Sequence, residues 1–147
     1  MLGVVAAGLV AIALAGCSSE VEPVGELVGR WSQGSDPGWV DDAMPIATTV
    51  IATDDERQDW LDDVAGDAVD AELDELRQVD LDHFFLVIGG YPRCTEYSAV
   101  LVENDGSVTF DVRTDDENVA CVWAPYTIDA WAVPLSETGG EPPSEVS

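Results

Sequence analysis

Apolar and polar residues change their spacing several times along the chain, and each change marks an expected element. Residues 26–33, "ELVGRWSQ", have strand character and run into the turn residues of "GSDPG". The β-branched run from Ile46 to Ala52 follows Pro45 and reads as a second strand. Thr53 to Glu56 then has the S/T-x-x-E form of a capping box, with acids where a helix dipole favours them. A helix from Asp54 to Val64 would put Trp60, Leu61 and Val64 on one side, and Gly66 would stop it. Val69, Leu73 and Leu76 recur at i, i+4 and i+7 with acids between them, which predicts a second helix over 68–79.

Beyond Asp82 the character changes. "HFFLVIGG" is an unbroken apolar run, short enough for a buried strand, and "EYSAVLVE" continues the β signal. Asp105-Gly106 is a strong hairpin turn, because glycine accepts a positive φ. In "SVTFDVR", Val108, Phe110 and Val112 point one way, and Thr109 and Asp111 point the other. "TDDEN" reads as a loop, and "VACVW" and "PYTIDAWAV" as one or two closing strands, with Trp131 on the face opposite Ile128. Residues 136–147, "SETGGEPPSEVS", are low in complexity and expected to be disordered. The sum predicts one α+β domain over 26–135, a mostly antiparallel sheet with one or two helices.

Charge changes the picture more than length does. The chain carries 30 Asp and Glu against 5 basic residues, all arginine, for a net charge of −25. Such a surface repels phosphate backbones, so no nucleic-acid partner is expected, and it favours cations or basic proteins. An acidic habit of the whole proteome would give the same balance.

Three cysteines divide into one and two. Cys94 follows the turn "GGYP" and Cys121 lies in "VACVW"; outside the reducing cytosol, such a pair invites a disulfide. Closing a loop of about 28 residues is worth roughly 3–4 kcal/mol in the chain-entropy view. Two lone cysteines and a single histidine lack the paired spacing of a zinc site, so no metal or cofactor is expected.

Cys17 stands apart. Residues 2–15, "LGVVAAGLVAIALA", are uncharged and shorter than the roughly 20 apolar residues of a membrane-spanning helix. They fit the apolar part of an export signal, although only the amine of Met1 supplies the usual positive start. "LAGC", Leu14 to Cys17, resembles the lipobox of bacterial lipoproteins. That resemblance implies a signal peptide over 1–16, diacylglycerol and fatty acid (palmitate) on Cys17, and a tether over 17–25. It also implies residence on the extracytoplasmic face of the cell membrane. Two or more acyl chains anchor stably, at about 0.8 kcal/mol for each buried methylene.

A second resemblance covers residues 84–133. "FFLVIGG", the turn and strand "YPRCTEYSAVLVE", Asp105-Gly106 and the aliphatic "IDAWAV" resemble the C-terminal domain of a protease-complex lipoprotein family. Where that family tends to carry Thr-Gly-Gly-Tyr at the turn, this chain has Thr95, Glu96 and Tyr97. The resemblance implies a small β-rich domain that supports assembly of a surface protease.

Candidate chemistry is sparse. His83 in Asp82-His83-Phe84 could act as a general base oriented by Asp80 or Asp82, or simply begin a strand beside carboxylates. The adjacent acids Asp62 and Asp63 would point in different directions on a helix. "DDERQDWLDD" and "TDDEN" lack the spacing of a calcium loop. Of the five tryptophans, Trp39 in "SDPGWVDD" sits in a loop context and is the expected partner contact. The leading expectation is a lipid-anchored, non-enzymatic binding or accessory domain of the envelope, protease-associated by the second resemblance. The alternatives are an acidic cation-binding or structural surface lipoprotein, and a hydrolase using His83.

Overall fold

The computed structural model describes residues 21–34, 38–66, 68, 70–115 and 118–147. The leader, Cys17 and most of the tether therefore lie outside the described residues. The fold is α+β and mostly antiparallel. Among the described residues seven strands form two sheets: β1 (Pro23–Val24), β5 (Glu96–Val102) and β6 (Val108–Thr114) make one, in the order β1-β5-β6. β2 (Glu26–Ser32), β7 (Tyr126–Pro134), β4 (Phe84–Pro92) and β3 (Thr49–Ile51) make the other, in the order β2-β7-β4-β3. The helices are α1 (Trp39–Ala43), α2 (Asp54–Asp63) and α3 (Asp74–Arg77).

The four-stranded sheet is the middle layer. Successive side chains of β4 and β7 alternate between two cores. Leu86, Ile88, Ile128, Ala130 and Ala132 face the helices, where they meet Trp31, Trp39, Val40, Trp60, Leu61, Leu73 and Leu76. Phe85, Val87 and Val133 face the three-stranded sheet, where they meet Val100 and Val108. Burial on both faces is why β4 reads as one continuous apolar run instead of an alternation. Close approach of aromatic rings sets three of the described glycines, Gly29, Gly89 and Gly90, the last of them beneath Tyr126. The Trp31 indole lies across Gly29, and the Phe110 ring lies over Gly89, where a Cβ would come within 2.7 Å of it.

Local signals produce the expected local structure. The Thr53 hydroxyl accepts the Glu56 N–H and the Glu56 carboxylate accepts the Thr53 N–H, so the capping box starts α2 as read. The Ala52 N–H, which also donates to the Glu56 carboxylate, is the chief reason the Glu56 pKa lies below the usual carboxylate range, and the bonds with Thr53 add to it. Gly106 takes φ 83° in the hairpin joining β5 to β6.

Four expectations change. The helix over 68–79 is broken into a 3-10 turn at Asp70–Glu72 and the short α3. The Glu72 carbonyl, which a continuous helix would give to Leu76, accepts the Trp31 indole N–H at 2.9 Å instead. Acids three and four apart also repel along such a helix. "VACVW" forms no strand; residues 118–125 are a loop before β7. The strand expected over 46–52 shortens to Thr49–Ile51, and the Ile46 N–H donates to the Tyr126 hydroxyl at 3.1 Å. The fold also extends past 26–135. Pro23 and Val24 pair with Leu101 and Val100, and residues 136–147 are ordered. After a 3-10 turn at Leu135–Thr138 they return to β6, where Val146 packs in the inter-sheet core.

Candidate functional site: a disulfide-pinned apolar loop

The strand registers give the molecule two ends. At one end lie Pro23 opposite Leu101, Glu26 opposite Ala132 and the hairpin at Asp105-Gly106. At the other, Ser32 lies opposite Thr127, Pro92 opposite Tyr126 and Glu96 opposite Thr114. The two are about 20 Å apart at roughly 3.3 Å per residue.

The second end carries the largest exposed apolar side chains among the described residues. Val122 is fully exposed, Trp123 is 63% exposed and Val119 49%. A loop of this composition would collapse inward if it were free to do so. Three kinds of tie hold it out. The Cys94–Cys121 disulfide joins it to the turn between β4 and β5, with the Cα atoms 6.2 Å apart, inside the ordinary range. The Arg93 N–H donates to the Pro125 carbonyl at 2.9 Å, and the Gln33 N–H to the Tyr126 carbonyl at 2.7 Å. The edge of the Trp123 ring rests beside Gly34. On the other side of the disulfide, the Glu96 carboxylate accepts the Cys94 N–H, the chief reason its pKa lies below the usual carboxylate range.

Under this end the two sheets share a polar network. Asp129, on the central strand β7, is completely buried on the inter-sheet face. Arg30 donates to it through Nε at 2.7 Å and Nη2 at 2.8 Å. The Tyr91 hydroxyl donates at 2.8 Å, and the Ser98 hydroxyl donates to the same oxygen. Ser98 in turn accepts the Trp131 indole N–H at 2.8 Å. Both carboxylate oxygens are thus satisfied, as a buried charge requires. Burial, followed by the donated bond to Asp129, raises the Tyr91 pKa above that of a free phenol. The bond that Arg30 donates to Asp129 likewise raises the Arg30 pKa. The network uses β2, β4, β5 and β7, so it fastens the two sheets together directly below the loop.

The expected site residues are placed as follows. Trp39 is only 3% exposed. It is the middle of a tryptophan stack, edge-on to Trp31 with ring centroids 5.6 Å apart and to Trp60 at 6.3 Å. Its expected role as a partner contact is corrected: α1 folds it under the sheet, and Trp123 is the tryptophan that meets solvent. His83 stands on a surface turn, its Nδ1 2.9 Å from Asp80. Asp80 is its only ring partner among the described residues, and that contact leads in lowering the Asp80 pKa. Asp82 bonds to Asp80 through its own N–H. Among the described residues no three His, Cys, Asp or Glu side chains converge on a common point. The signal for the buried network was an acid inside the apolar run "YTIDAWAV". Nothing in "VACVW" marked it as exposed.

Comparison with family profiles, curated proteins and solved structures returns no match.

Proposed function

We propose that this chain is a lipid-anchored, non-enzymatic accessory domain of the cell envelope that holds a protein partner through residues 118–125. The observation that carries the reading is the solvent-facing Trp123 beside Val122, held out by a disulfide and backbone bonds. A rigid aromatic projection loses little entropy on binding, and tryptophan is enriched among the residues that dominate interfaces. The geometry suits a tether at Cys17. Residues 18–22 reach at most about 18 Å before β1 begins. β1 enters at the end opposite Trp123, which turns the loop away from the bilayer and toward a protein. A net charge of −25 selects a partner whose apolar socket has a basic rim. A surface protease, as the resemblance of residues 84–133 implies, is the partner class we favour.

Two measurements test this. Labelled palmitate should enter the wild-type chain and not Cys17→Ser. A photoreactive phenylalanine at position 123 should give a discrete cross-linked protein in the envelope, and one at position 55, exposed on α2, should not. Unlabelled Cys17 would overturn the anchoring, and equal or absent adducts at the two positions would overturn the contact.

A further inference from the structure

The Cys94–Cys121 bond lies where solvent reaches it. Cys121 is exposed and Cys94 half-buried, and neither belongs to either apolar core. Exposed disulfides are the ones that thiols open readily. The strands on either side do not depend on the bond. Pro92 is paired with Tyr126 and Glu96 with Thr114, and the Asp115 N–H donates to the Thr95 carbonyl at 3.2 Å. The bonds to Asp129 from Arg30, Tyr91 and Ser98 fasten the sheets below. Opening the disulfide therefore leaves both sheets joined and acts on the loop that ends at Pro125. That loop holds Val119, Val122 and Trp123 in solvent. Once the bond is open, burial draws these apolar side chains inward.

We infer that the Cys94–Cys121 bond is a redox switch on the Trp123 loop, which a dithiol reductant opens through Cys121 so that the partner is released. This rests on the Trp123 contact proposed above and adds its regulation. The surroundings decide which sulfur is attacked. Cys121 is the more exposed of the two, and the Glu96 carboxylate, which accepts the Cys94 N–H, repels an incoming thiolate from Cys94. The thiolate of the reductant bonds to Cys121 Sγ. The Cys94–Cys121 bond breaks, and Cys94 Sγ leaves with the electron pair and takes up a proton. The second thiol of the reductant gives up its proton and attacks its partner sulfur in the mixed disulfide. Cys121 then leaves and is protonated in turn. The reductant ends as a disulfide, and the protein, reduced by the same electron pair, ends with two thiols.

The full chain, extracted from membranes in mild detergent, is treated with the monothiol 2-mercaptoethanol, and the freed thiol is capped with iodoacetamide. Peptide mass spectrometry should find mercaptoethanol on Cys121 and the cap on Cys94. Complete reduction with dithiothreitol should keep the circular dichroism of the sheets. It should also lower acrylamide quenching of Trp123, the part of the signal that Trp123→Phe removes. The cross-link from position 123 should fall at least about tenfold in the reduced, capped chain, because re-ordering even one or two freed residues costs that much. Cys94→Ser with Cys121→Ser should show the same fall with no reductant near the partner. The capped chain, returned to untreated envelope, makes the same comparison and does not depend on that variant folding. Attack at Cys94, unchanged quenching, loss of the sheet signal on reduction, or equal adducts from open and closed chains would overturn the switch. No adduct from the oxidised chain would overturn the Trp123 contact itself, and with it the release of a partner.

Discussion

Replacing Asp129 with Asn removes one charge and almost no volume, so it isolates the electrostatic part of the inter-sheet network. One oxygen of Asp129 takes three donors: Arg30 Nη2, Tyr91 and Ser98. An amide nitrogen in that place would face those donors. The two hydroxyls can rotate, but the guanidinium cannot become an acceptor. If the amide flips, its nitrogen meets Arg30 Nε instead. The paired bond to Arg30, whose side chain is 31% exposed, accounts for about 1–2 kcal/mol once solvent screening is allowed for. Weakening two hydroxyl bonds to a charged acceptor adds about 0.5–1 kcal/mol each. The expected total is about 3 kcal/mol, or a fall of about 10–15 °C in Tm for a domain of this size. Urea unfolding followed by tryptophan fluorescence and circular dichroism measures it. The midpoint should drop by about 1.5 M at an unchanged slope near 2 kcal/mol/M. Arg30→Met, alone and combined with Asp129→Asn, should show a coupling of at least about 1 kcal/mol. A loss below about 0.5 kcal/mol, or additivity of the two changes, would refute the argument that the carboxylate organises this junction.

Four further outcomes follow from particular contacts. Cys94→Ser with Cys121→Ser should cost roughly 3–4 kcal/mol in denaturant unfolding, with faster proteolysis between 115 and 125. Tyr91 has a raised pKa, so its contribution is complete below about pH 10, the value for an unfolded tyrosine, and is lost as pH rises through the folded value. The midpoint of wild-type unfolding should therefore fall in alkali more than that of Tyr91→Phe, and a late phenolate absorbance step should vanish in the variant. Thr53→Ala should lose about 1 kcal/mol by removing the α2 cap, measured by thermal unfolding. Gly89→Ala should cost about 1–3 kcal/mol, because its Cβ meets the Phe110 ring, and Phe110→Leu in the same chain should recover part of the loss.

What the sequence discloses here is what chemistry decides within a few residues. Thr53 and Glu56 satisfy each other's backbone whatever surrounds them, and Gly106 has little choice of turn. The Cys94–Cys121 pair also follows from simple counting once Cys17 is set aside. Trp39 was misleading because Asp, Pro and Gly before it describe a loop accurately, yet say nothing about what lies beneath that loop. α1 has only five residues and no side-chain cap, and burial of Trp39 and Val40 against the sheet holds it. The broken helix after Ala68 failed for a related reason. Its spacing was helical, but Trp31, far away in the chain, claims the Glu72 carbonyl. Residues 136–147 have a disordered composition, and one valine with two backbone bonds at the far end orders them. Long-range partners, not local preference, made each of these differences.

The strand nearest the end of the sequence is also the centre of the four-stranded sheet. β7 pairs with β2 from Ser32 opposite Thr127 to Glu26 opposite Ala132, about 100 positions away in the chain, and with β4 along nine residues. Until residues 126–134 have been synthesised, β2 has no neighbour in its sheet and β4 only the three-residue β3. Folding should therefore be slow and late, with a high relative contact order. A ribosome-bound or threaded chain lacking that last stretch would remain an unfolded, highly charged polyanion. Acidity would then protect the protein twice: as a soluble surface once folded, and as a guard against aggregation during the interval before β7 arrives.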